Sequence, residues 1–482
     1  MTTHAPFAPG PGNSPPPGPV RTRVAGRCDP LAVAVRLARS GLFDRYAVYE
    51  QDGRWWFAGG ALWSATVRHD EVAIERDGDL LRGPRTTAHP VRELGAALAG
   101  APGADWRGYG WVAFEAACAA AGLPPRDPRQ TLAYAFVPRA EVEIRPDALD
   151  LRCADPALLR TLLAAAREDA GAPAPEPARP LDVEAGDPGP YHRAVERAIA
   201  RIGRGELEKV ILSRRVEVPF ALDFPATYAA GRRANTPARS YLLDLPGLKA
   251  AGFSPETVAE VAADGRIASQ PLAGTRARHA DDPERDARTR AELRTDVKEV
   301  YEHAVSVLLA DDEMRTLCAP GSVAVDEFMA VKERGSVRHL GSRVSGRLRA
   351  DRTRWDALAA LFPAVTACGI PKSAAYRVIA DAEPATRGLY AGAVLRATAE
   401  GDLDAALALR TVYTHEDRTW VRAGAGIVGV SSAAREYRET CEKLASVAPH
   451  LVPSTAPEPP GRAARPASPE APAATAVPPR DR

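Results

Sequence analysis

Net charge, cysteine and long apolar runs are all scarce in this sequence. Its 63 lysines and arginines nearly balance 62 aspartates and glutamates, and a net charge of +1 argues against a nucleic-acid-binding surface. The six cysteines form no CxxC pair, so neither a zinc site nor a disulfide framework is indicated, and we expect a cytoplasmic location. No run approaches the roughly 18 apolar residues of a membrane span, and the first residues do not resemble a secretory signal. We therefore expect a soluble protein.

Proline is abundant but localised. The 482 residues include 44 prolines, which concentrate in residues 1–20 and 453–482. These segments have too few apolar side chains to offset chain entropy, so we expect two disordered tails. A stretch rich in proline and alanine at 170–180 divides the intervening 21–452 after residue 180.

Local patterns alternate between strands and helices. Residues Thr257–Ser269 read as a hairpin that turns at an Asp-Gly pair. Apolar residues at helical spacing predict helices over His192–Ile202 and Asp286–Ala310, the second with Val297 and Leu308 on its apolar face. Hairpins interspersed with helices predict an α+β fold with antiparallel sheets.

Two predicted helices each carry a pair of glutamates three residues apart. Glu299 and Glu302 form the first pair, and Glu436 and Glu439 form the second. This spacing places both carboxylates of a pair on one helix face. If the helices pack together, the all-oxygen cluster suits Mg²⁺. The alternative is two solvated faces with neighbouring lysines as ion-pair partners.

Other candidate residues follow the strands. Gly-containing loops at Pro271–Arg276 and Arg422–Ile427 could offer backbone N–H groups to an anion, or be ordinary turns. Tyr390 and Arg410 could together hold a carboxylate, although singly each is more often structural.

Three ionisable residues could supply acid–base chemistry. Lys209 opens an apolar strand, where burial could make it a general base, and Glu256 in a Ser-Pro-Glu turn could be the complementary acid. The alternatives are a lysine that reaches solvent and a plain turn residue. His339 is either part of a site or a hydrogen-bonded core histidine.

The order of these motifs resembles that of the chorismate-utilising enzymes, most closely the salicylate synthases of siderophore pathways. The similarity runs from about Val195 to Val452 and weakens before it. The motifs that carry it are KVILSR (209–214), SPE (254–256), PLAGTR (271–276), FMAVKERGSVRHLGS (328–342), LFPAVTACGIPK (361–372), RGLYAGAV (387–394) and TWVRAGAGIV (419–428).

The resemblance implies one catalytic domain over 21–452, with two stacked antiparallel sheets and the active site in 181–452. It implies a cleft that holds Mg²⁺ and chorismate. Glu302 and Glu439 would ligate Mg²⁺, with Glu299 and Glu436 nearby or acting through water. The implied substrate-binding residues are Gly274, Thr275, Tyr390, Arg410, Gly424, Ala425, Gly426 and Lys443.

The resemblance also implies roles for the catalytic residues. Lys209 would activate water for attack at C2, and Glu256 would protonate the departing C4 hydroxyl. Tyr390 and Arg410 would bind the enolpyruvyl carboxylate. His339 would line the site without an assigned role.

Sequence differences within the family favour water as the nucleophile. Anthranilate synthases typically carry Gln where this chain has Lys209, and aminodeoxychorismate synthases often carry Lys where it has Ala273. No amidotransferase domain is fused, so we expect no such subunit and a monomer. Thr366 stands where dedicated isochorismate synthases usually have Ala, which favours a salicylate synthase. An isochorismate synthase is the alternative, followed by an anthranilate-type synthase or an inactive ligand-binding relative.

Overall fold

The computed structural model describes residues 18–76, 78–167, 177–279, 281–335 and 337–455. The strands are β1 (Val20–Ala25), β2 (Tyr46–Gln51), β3 (Arg54–Val67), β4 (Glu71–Arg76), β5 (Asp79–Pro84), β6 (Arg107–Val112), β7 (Ala133–Arg145), β8 (Ala148–Cys153), β9 (Lys209–Glu217), β10 (Arg239–Leu245), β11 (Leu248–Ser254), β12 (Thr257–Val261), β13 (Arg266–Ser269), β14 (Leu272–Ala277), β15 (Ala324–Arg334), β16 (Val337–Arg347), β17 (Gly369–Ile370), β18 (Ala393–Thr398), β19 (Leu403–Leu407), β20 (Thr411–His415) and β21 (Arg418–Ile427). The α-helices are α1 (Pro30–Arg39), α2 (Pro90–Ala99), α3 (Glu115–Ala120), α4 (Pro156–Arg167), α5 (Gly189–Gly203), α6 (Phe224–Ala234), α7 (Pro283–Thr295), α8 (Val297–Leu317), α9 (Arg354–Leu361), α10 (Lys372–Ala382) and α11 (Ala433–Leu444).

These strands form one continuous antiparallel ladder. It runs from β17 through β9, β21, β20, β11, β10 and β2 to the long strand β3. From β3 it continues through β7, β6, β18, β19, β12 and β13 to β16, which also pairs with β14 and β15. The α+β class is confirmed. The two expected sheets are joined, because β3 and β7 are long enough to belong to both halves of the ladder.

The two halves of the ladder stack face to face. Asp404 of β19 accepts hydrogen bonds from the Tyr49 hydroxyl and from Gln51, the latter at 2.9 Å, although β19 and β2 are far apart in the ladder. Arg239 of β10 donates two further bonds of 2.8 Å to the same carboxylate. This cluster ties the halves together across the space between them.

Each face of the first half covers a hydrophobic core. Ala47 and Tyr49 of β2 belong to the larger core, which also includes Trp111 of β6 in the second half. The alternate residues Tyr46 and Val48 pack in a second core with α1, α4 and α6. This alternation is the period of two that a strand buried on both faces requires.

The helix predicted over Asp286–Ala310 is two helices. Asp296 has an extended backbone, and its side chain caps α8 by accepting the Lys298 N–H at 3.0 Å. Val297 and Leu308, predicted on the apolar face of the helix, are 83% and 60% exposed. The prediction of that face was wrong because the helix turns its polar side inward.

Two other local predictions are confirmed, and the boundary of the second tail is corrected. The hairpin in Thr257–Ser269 and the helix over His192–Ile202 are confirmed as β12–β13 and α5. Pro453 and Ser454, which we assigned to the second tail, pair with the backbone at residues 221–222, so the folded core extends past 452. Residues 1–17 and 456–482 and most of the 170–180 stretch lie outside the described residues. No helix in the described part of the chain is long and apolar enough to cross a bilayer.

Candidate active site

A cleft with about 800 Å³ of empty volume brings the predicted residues together. Its walls come from β9, β14, β16, β21, α8, α11 and the loops around residues 256, 366 and 410. Of the sixteen predicted site residues, twelve line it: Glu256, Gly274, Thr275, Glu302, His339, Thr366, Tyr390, Arg410, Gly424, Gly426, Glu439 and Lys443. Lys209, Glu299, Ala425 and Glu436 lie behind this lining. A concave site on which several polar side chains converge suits a small-molecule ligand.

Glu256 holds a proton at neutral pH. It follows β11, is 3% exposed, and accepts a hydrogen bond of 2.6 Å from the Thr366 hydroxyl. Burial raises the pKa of Glu256 to about 8, which outweighs the opposing effects of Thr366, the Leu272 N–H and nearby lysines. A protonated carboxyl facing a cleft is what a general acid requires.

Lys209 and Glu302 form an ion pair. The Lys209 Nζ lies 2.8 Å from the Glu302 Oε1 and 3.5 Å from the Ser306 Oγ. Lys209 is only 3% exposed, at the start of β9, and Glu302 reaches it from α8. The predicted base and a predicted metal ligand are thus in direct contact. A lysine accepts a proton only when neutral, so Lys209 must leave this ion pair to act as a base.

Arg410 is a buried cation without a carboxylate partner among the described residues. It donates to the Arg334 carbonyl at 3.2 Å and to the His339 Nε2. Burial, followed by the nearby Arg334, lowers the pKa of Arg410 to about 9. A buried guanidinium with no anion beside it is suited to receive a ligand carboxylate.

His339 is held as a neutral ring. A guanidinium only donates, so the Nε2 that faces Arg410 accepts, and the ring proton sits on Nδ1. Nδ1 donates to the Gly274 carbonyl at 3.0 Å. Burial and then Arg410 hold the pKa of His339 well below its usual value. The ring therefore orients Arg410 and strand β14 and is not an acid.

The second glutamate pair is bridged by lysines. Glu436 Oε1 lies 2.9 Å from the Lys298 Nζ, and Glu439 Oε1 lies 2.8 Å from the Lys443 Nζ. The other oxygen of Glu436, Oε2, is buried and has no hydrogen-bond partner in the described part of the chain. Burial and then Glu439 raise the pKa of Glu436. These contacts match the ion pairs of the alternative interpretation, yet they sit against the cleft and not in solvent.

Glu299 reaches across to Thr275 and Arg276, which lie in strand β14 beside a bulge at Gly274 and not in the predicted loop. Its carboxylate accepts the Thr275 N–H at 3.2 Å and an Arg276 bond of 2.8 Å. Burial, then Glu439 and Glu302, raise the pKa of Glu299. Like charges therefore crowd this end of the cleft. The Thr275 N–H, which we expected to face a substrate carboxylate, donates to Glu299 in this structure.

Two glycines allow the carboxylates to approach the backbone. A Cβ at Gly426 would lie 2.5 Å from the Glu302 Oε1, so a larger residue would displace that side chain. Gly274 has a φ of +75°, and a Cβ there would lie 3.1 Å from the Glu299 Oε2. The residue between the β21 glycines, Ala425, is buried and turns its side chain away from the cleft by strand alternation.

A buried ionic cluster behind the cleft was missed by the sequence analysis. Arg422 lines the cleft and donates to Glu383 at 2.5 Å, and Glu383 also binds Arg387. Glu383 and Arg387 are four residues apart, but Pro384 ends the helix between them, so the sequence carries no signal for this buried pair.

The comparisons with known proteins agree with this geometry. A family model described as chorismate binding enzyme matches residues 45–449. A salicylate synthase of Mycolicibacterium paratuberculosis is 43% identical over 430 residues, which cover 88% of this chain and 94% of that relative. Component 1 of the Streptomyces coelicolor anthranilate synthase is 41% identical over 255 residues, or 52% of this chain and 49% of that relative.

Solved structures show the same fold. Component I of the Streptococcus pneumoniae anthranilate synthase has a TM-score of 0.68 at 26% identity, covering 83% of this chain and 92% of its own. The menaquinone-specific isochorismate synthase of Escherichia coli has a TM-score of 0.67 at 20% identity, covering 91% and 96%. With the family model matching most of its length, the chain belongs to the chorismate-binding enzymes.

Proposed function

We propose that this enzyme is a Mg²⁺-dependent salicylate synthase that converts chorismate through isochorismate to salicylate and pyruvate. The salicylate synthase relative supports this assignment because it aligns over nearly the full length of both chains. The observation that carries it is the protonated Glu256, held by Thr366 in a cleft where Arg410 lacks an anion. That pairing provides an acid for a leaving hydroxyl and a receptor for a carboxylate.

The cleft offers separate receptors for the two carboxylates of chorismate. The enolpyruvyl carboxylate binds Arg410, which gains the anion it lacks, and accepts a hydrogen bond from the Tyr390 hydroxyl. The ring carboxylate lies toward Glu302 and Glu439, where a cation is needed between anions. Lys443, fixed by the Gly424 carbonyl at 2.9 Å, lines the same region.

The glutamates at this end of the cleft fit Mg²⁺. Glu302 and Glu439 line the cleft, and Mg²⁺ is commonly held by one or two carboxylates, with waters and substrate completing its coordination. Glu299 and Glu436 lie behind the cleft lining and would act on the ion through water. The Glu436 Oε2, which has no hydrogen-bond partner among the described residues, and the raised pKa of Glu299 make this end of the cleft suited to a cation. Bound there, Mg²⁺ would neutralise the ring carboxylate.

The first reaction replaces the C4 hydroxyl with a hydroxyl at C2. Glu256 gives its proton to the C4 oxygen, which leaves as water with the C4–O bonding pair, while both double bonds of the ring diene shift toward C4. A second water adds at C2, and a neutral Lys209 takes its proton. Thr366 keeps Glu256 in place during this transfer.

The second reaction needs no acid or base from the protein. In isochorismate the C2 hydrogen moves to the pyruvyl methylene while the C–O bond breaks, which yields pyruvate and an aromatic ring. The residues that bind the side chain, Arg410 and Tyr390, hold it folded over the ring, and this orientation is their contribution.

The proposal is tested by following products. Purified enzyme with chorismate and Mg²⁺ should form salicylate, seen by fluorescence, and an equal amount of pyruvate, seen with a coupled dehydrogenase. Accumulation of isochorismate without pyruvate would assign an isochorismate synthase instead. Anthranilate formation with added ammonia, or no consumption of chorismate, would overturn the assignment.

A further inference from the structure

The ionic cluster behind the cleft is centred on one buried carboxylate, that of Glu383. Both oxygens of the Glu383 carboxylate are held by Arg387, at 2.7 and 2.9 Å, and one of them also accepts from Arg422 at 2.5 Å. The Ser213 N–H and hydroxyl donate to the other oxygen of Glu383, each at 2.8 Å. All four residues are at most 7% exposed. Two guanidinium groups thus share the Glu383 carboxylate, and a second buried carboxylate, that of Glu115, accepts the Arg387 backbone N–H at 2.6 Å.

The remaining donors of Arg387 hold two segments of the cleft wall. One nitrogen donates to the Ala367 carbonyl at 2.8 Å and another to the Ile211 carbonyl at 2.7 Å. Ala367 and Ile211 both line the cleft, whereas Arg387 does not. Ala367 closes the short 3₁₀ turn Val365–Ala367, so Arg387 supports the turn from which Thr366 reaches Glu256.

Arg387 also contacts the residue that binds the other end of the substrate. Its guanidinium carbon lies 5.6 Å from the centre of the Tyr390 ring, and that of Arg422 lies 5.3 Å from the same centre. The Tyr390 N–H donates to the Arg387 carbonyl at 3.1 Å. Cations near an aromatic ring interact with it electrostatically, so the two arginines hold the ring and make its hydroxyl a better donor.

We propose that Arg387 is a positioning residue that sets the distance between the Thr366 turn and Tyr390, and thereby the fraction of isochorismate that proceeds to salicylate. The inference rests on the proposed function. Pyruvate elimination needs the side chain, held by Tyr390, folded over a ring that faces Thr366 and Glu256. Small changes in this distance lower the population of the folded geometry, and isochorismate then leaves the cleft unreacted.

The test is the variant Arg387→Lys. Lysine keeps the positive charge, but it cannot bind both oxygens of the Glu383 carboxylate and also donate to the Ala367 and Ile211 carbonyls. We expect the ratio of isochorismate to salicylate, measured by chromatography at matched conversion, to rise about tenfold, the effect of about one lost hydrogen bond. Consumption of chorismate should fall by a smaller factor. If charge alone mattered, the ratio would stay at the wild-type value, which would overturn the proposal.

A matched control separates positioning from general stability. Arg239 is also buried and also donates to both oxygens of a carboxylate, that of Asp404. It lies between the stacked halves of the ladder and does not line the cleft. Arg239→Lys should lower the unfolding temperature and leave the product ratio unchanged. A comparable change of ratio in both variants would assign Arg387 to general stability.

A milder variant keeps the proposal testable if Arg387→Lys does not fold. The Arg387 guanidinium carbon lies 4.4 Å from the centre of the buried Phe114 ring. Phe114→Leu alters no charge but loosens this packing, and we expect the product ratio to rise by about threefold, less than for a lost hydrogen bond. An unchanged ratio in the folded variant would overturn the positioning role. A wild-type enzyme that makes no salicylate would instead reject the proposed function before any variant is compared.

Discussion

Helices α5 and α8 have similar apolar spacing in the sequence, yet they bury different kinds of face. In α5 the predicted face is the buried one, with Val195 fully covered and Ile199 packed against the main core. In α8 the predicted face is exposed, and Glu299 and Glu302 are 3% and 9% exposed. α5 packs against β9 and α11 and contributes no residue to the cleft lining, whereas α8 packs against β14 and β16 and turns Glu302 into the cleft.

The difference lies in what each helix faces. A helix against a hydrophobic core follows its apolar periodicity, because burial of each apolar side chain is favourable. A helix that forms a wall of a charged cleft turns its carboxylates inward, where Lys209 pairs with Glu302 and Arg276 pairs with Glu299. Val297 and Leu308 are then left outside, whereas Val307, Met314 and Leu317 of the same helix are buried in the main core. A helix that buries its carboxylates in this way indicates a functional site. Substitutions on the buried face and on the exposed face of α8 should therefore have different effects.

The largest effect is expected at the inner face of α8. Glu302→Gln removes a proposed Mg²⁺ ligand and the ion-pair partner of Lys209 together. We expect the rate of chorismate consumption to fall by about 10³-fold or more, since a catalytic metal contributes several kcal/mol. Asp311→Asn on the same helix alters only a surface pair with Arg315 and is the matched control. Wild-type rates in Glu302→Gln, or full activity of the wild type in excess EDTA, would reject the metal assignment.

Sequence motifs predicted most of the cleft because they place polar residues beside strand ends, as at Glu256 and Arg410. They did not predict which partners these residues meet. The pair of Lys209 with Glu302 depends on how α8 packs against β9, and the use of the Thr275 N–H by Glu299 depends on the α7–α8 break at Asp296. Long-range packing determines both contacts, and the spacing of residues within a motif does not predict that packing. The continuous ladder escaped prediction for the same reason.

The next largest effect concerns the base on β9, opposite the inner face of α8. Lys209→Gln keeps a polar side chain but cannot accept the proton of water. We expect formation of isochorismate to fall by about 10²-fold, the usual scale for loss of a general base. Conversion of supplied isochorismate to salicylate should continue, because that step needs no activated water. Equal losses in both half-reactions would assign Lys209 to structure, as the partner of Glu302.

An intermediate effect is expected for Thr366→Ala. The hydroxyl donates to Glu256 and fills space beside the substrate, and alanine does neither. We expect the product to shift from salicylate toward isochorismate by more than chorismate consumption slows. Thr366→Ser, which keeps the hydroxyl, should restore part of the salicylate fraction. A product ratio unchanged in both variants would limit Thr366 to packing.

The same variant should alter the titration of Glu256. The Thr366 hydrogen bond lowers the pKa of Glu256, while burial raises it to about 8. The titration can be followed by the infrared stretch of the protonated Glu256 carboxyl, and Glu256→Gln assigns the band. We expect the midpoint of this titration to lie near 8 in the wild type and higher in Thr366→Ala. Because the folded pKa exceeds the usual 4.5, the contribution of Glu256 to the free energy of unfolding should decline as the pH rises from 4.5 to 8. Glu256→Gln should remove that decline, and a midpoint near 4.5 would contradict the burial argument.

The smallest effect is expected at the outer face of α8, and it tests the comparison of the two helices directly. Val195→Ala in α5 should lower the free energy of unfolding, measured with urea, by about 2 kcal/mol, because a fully buried side chain leaves a cavity. Val297→Ala in α8 should alter it by less than about 0.5 kcal/mol, since Val297 is 83% exposed. The two substitutions remove the same atoms, so the difference reports burial alone. Similar losses at both positions would mean that the outer face of α8 is covered in solution, and a loss at Val297 that grows with protein concentration would identify a second copy of the chain as the cover.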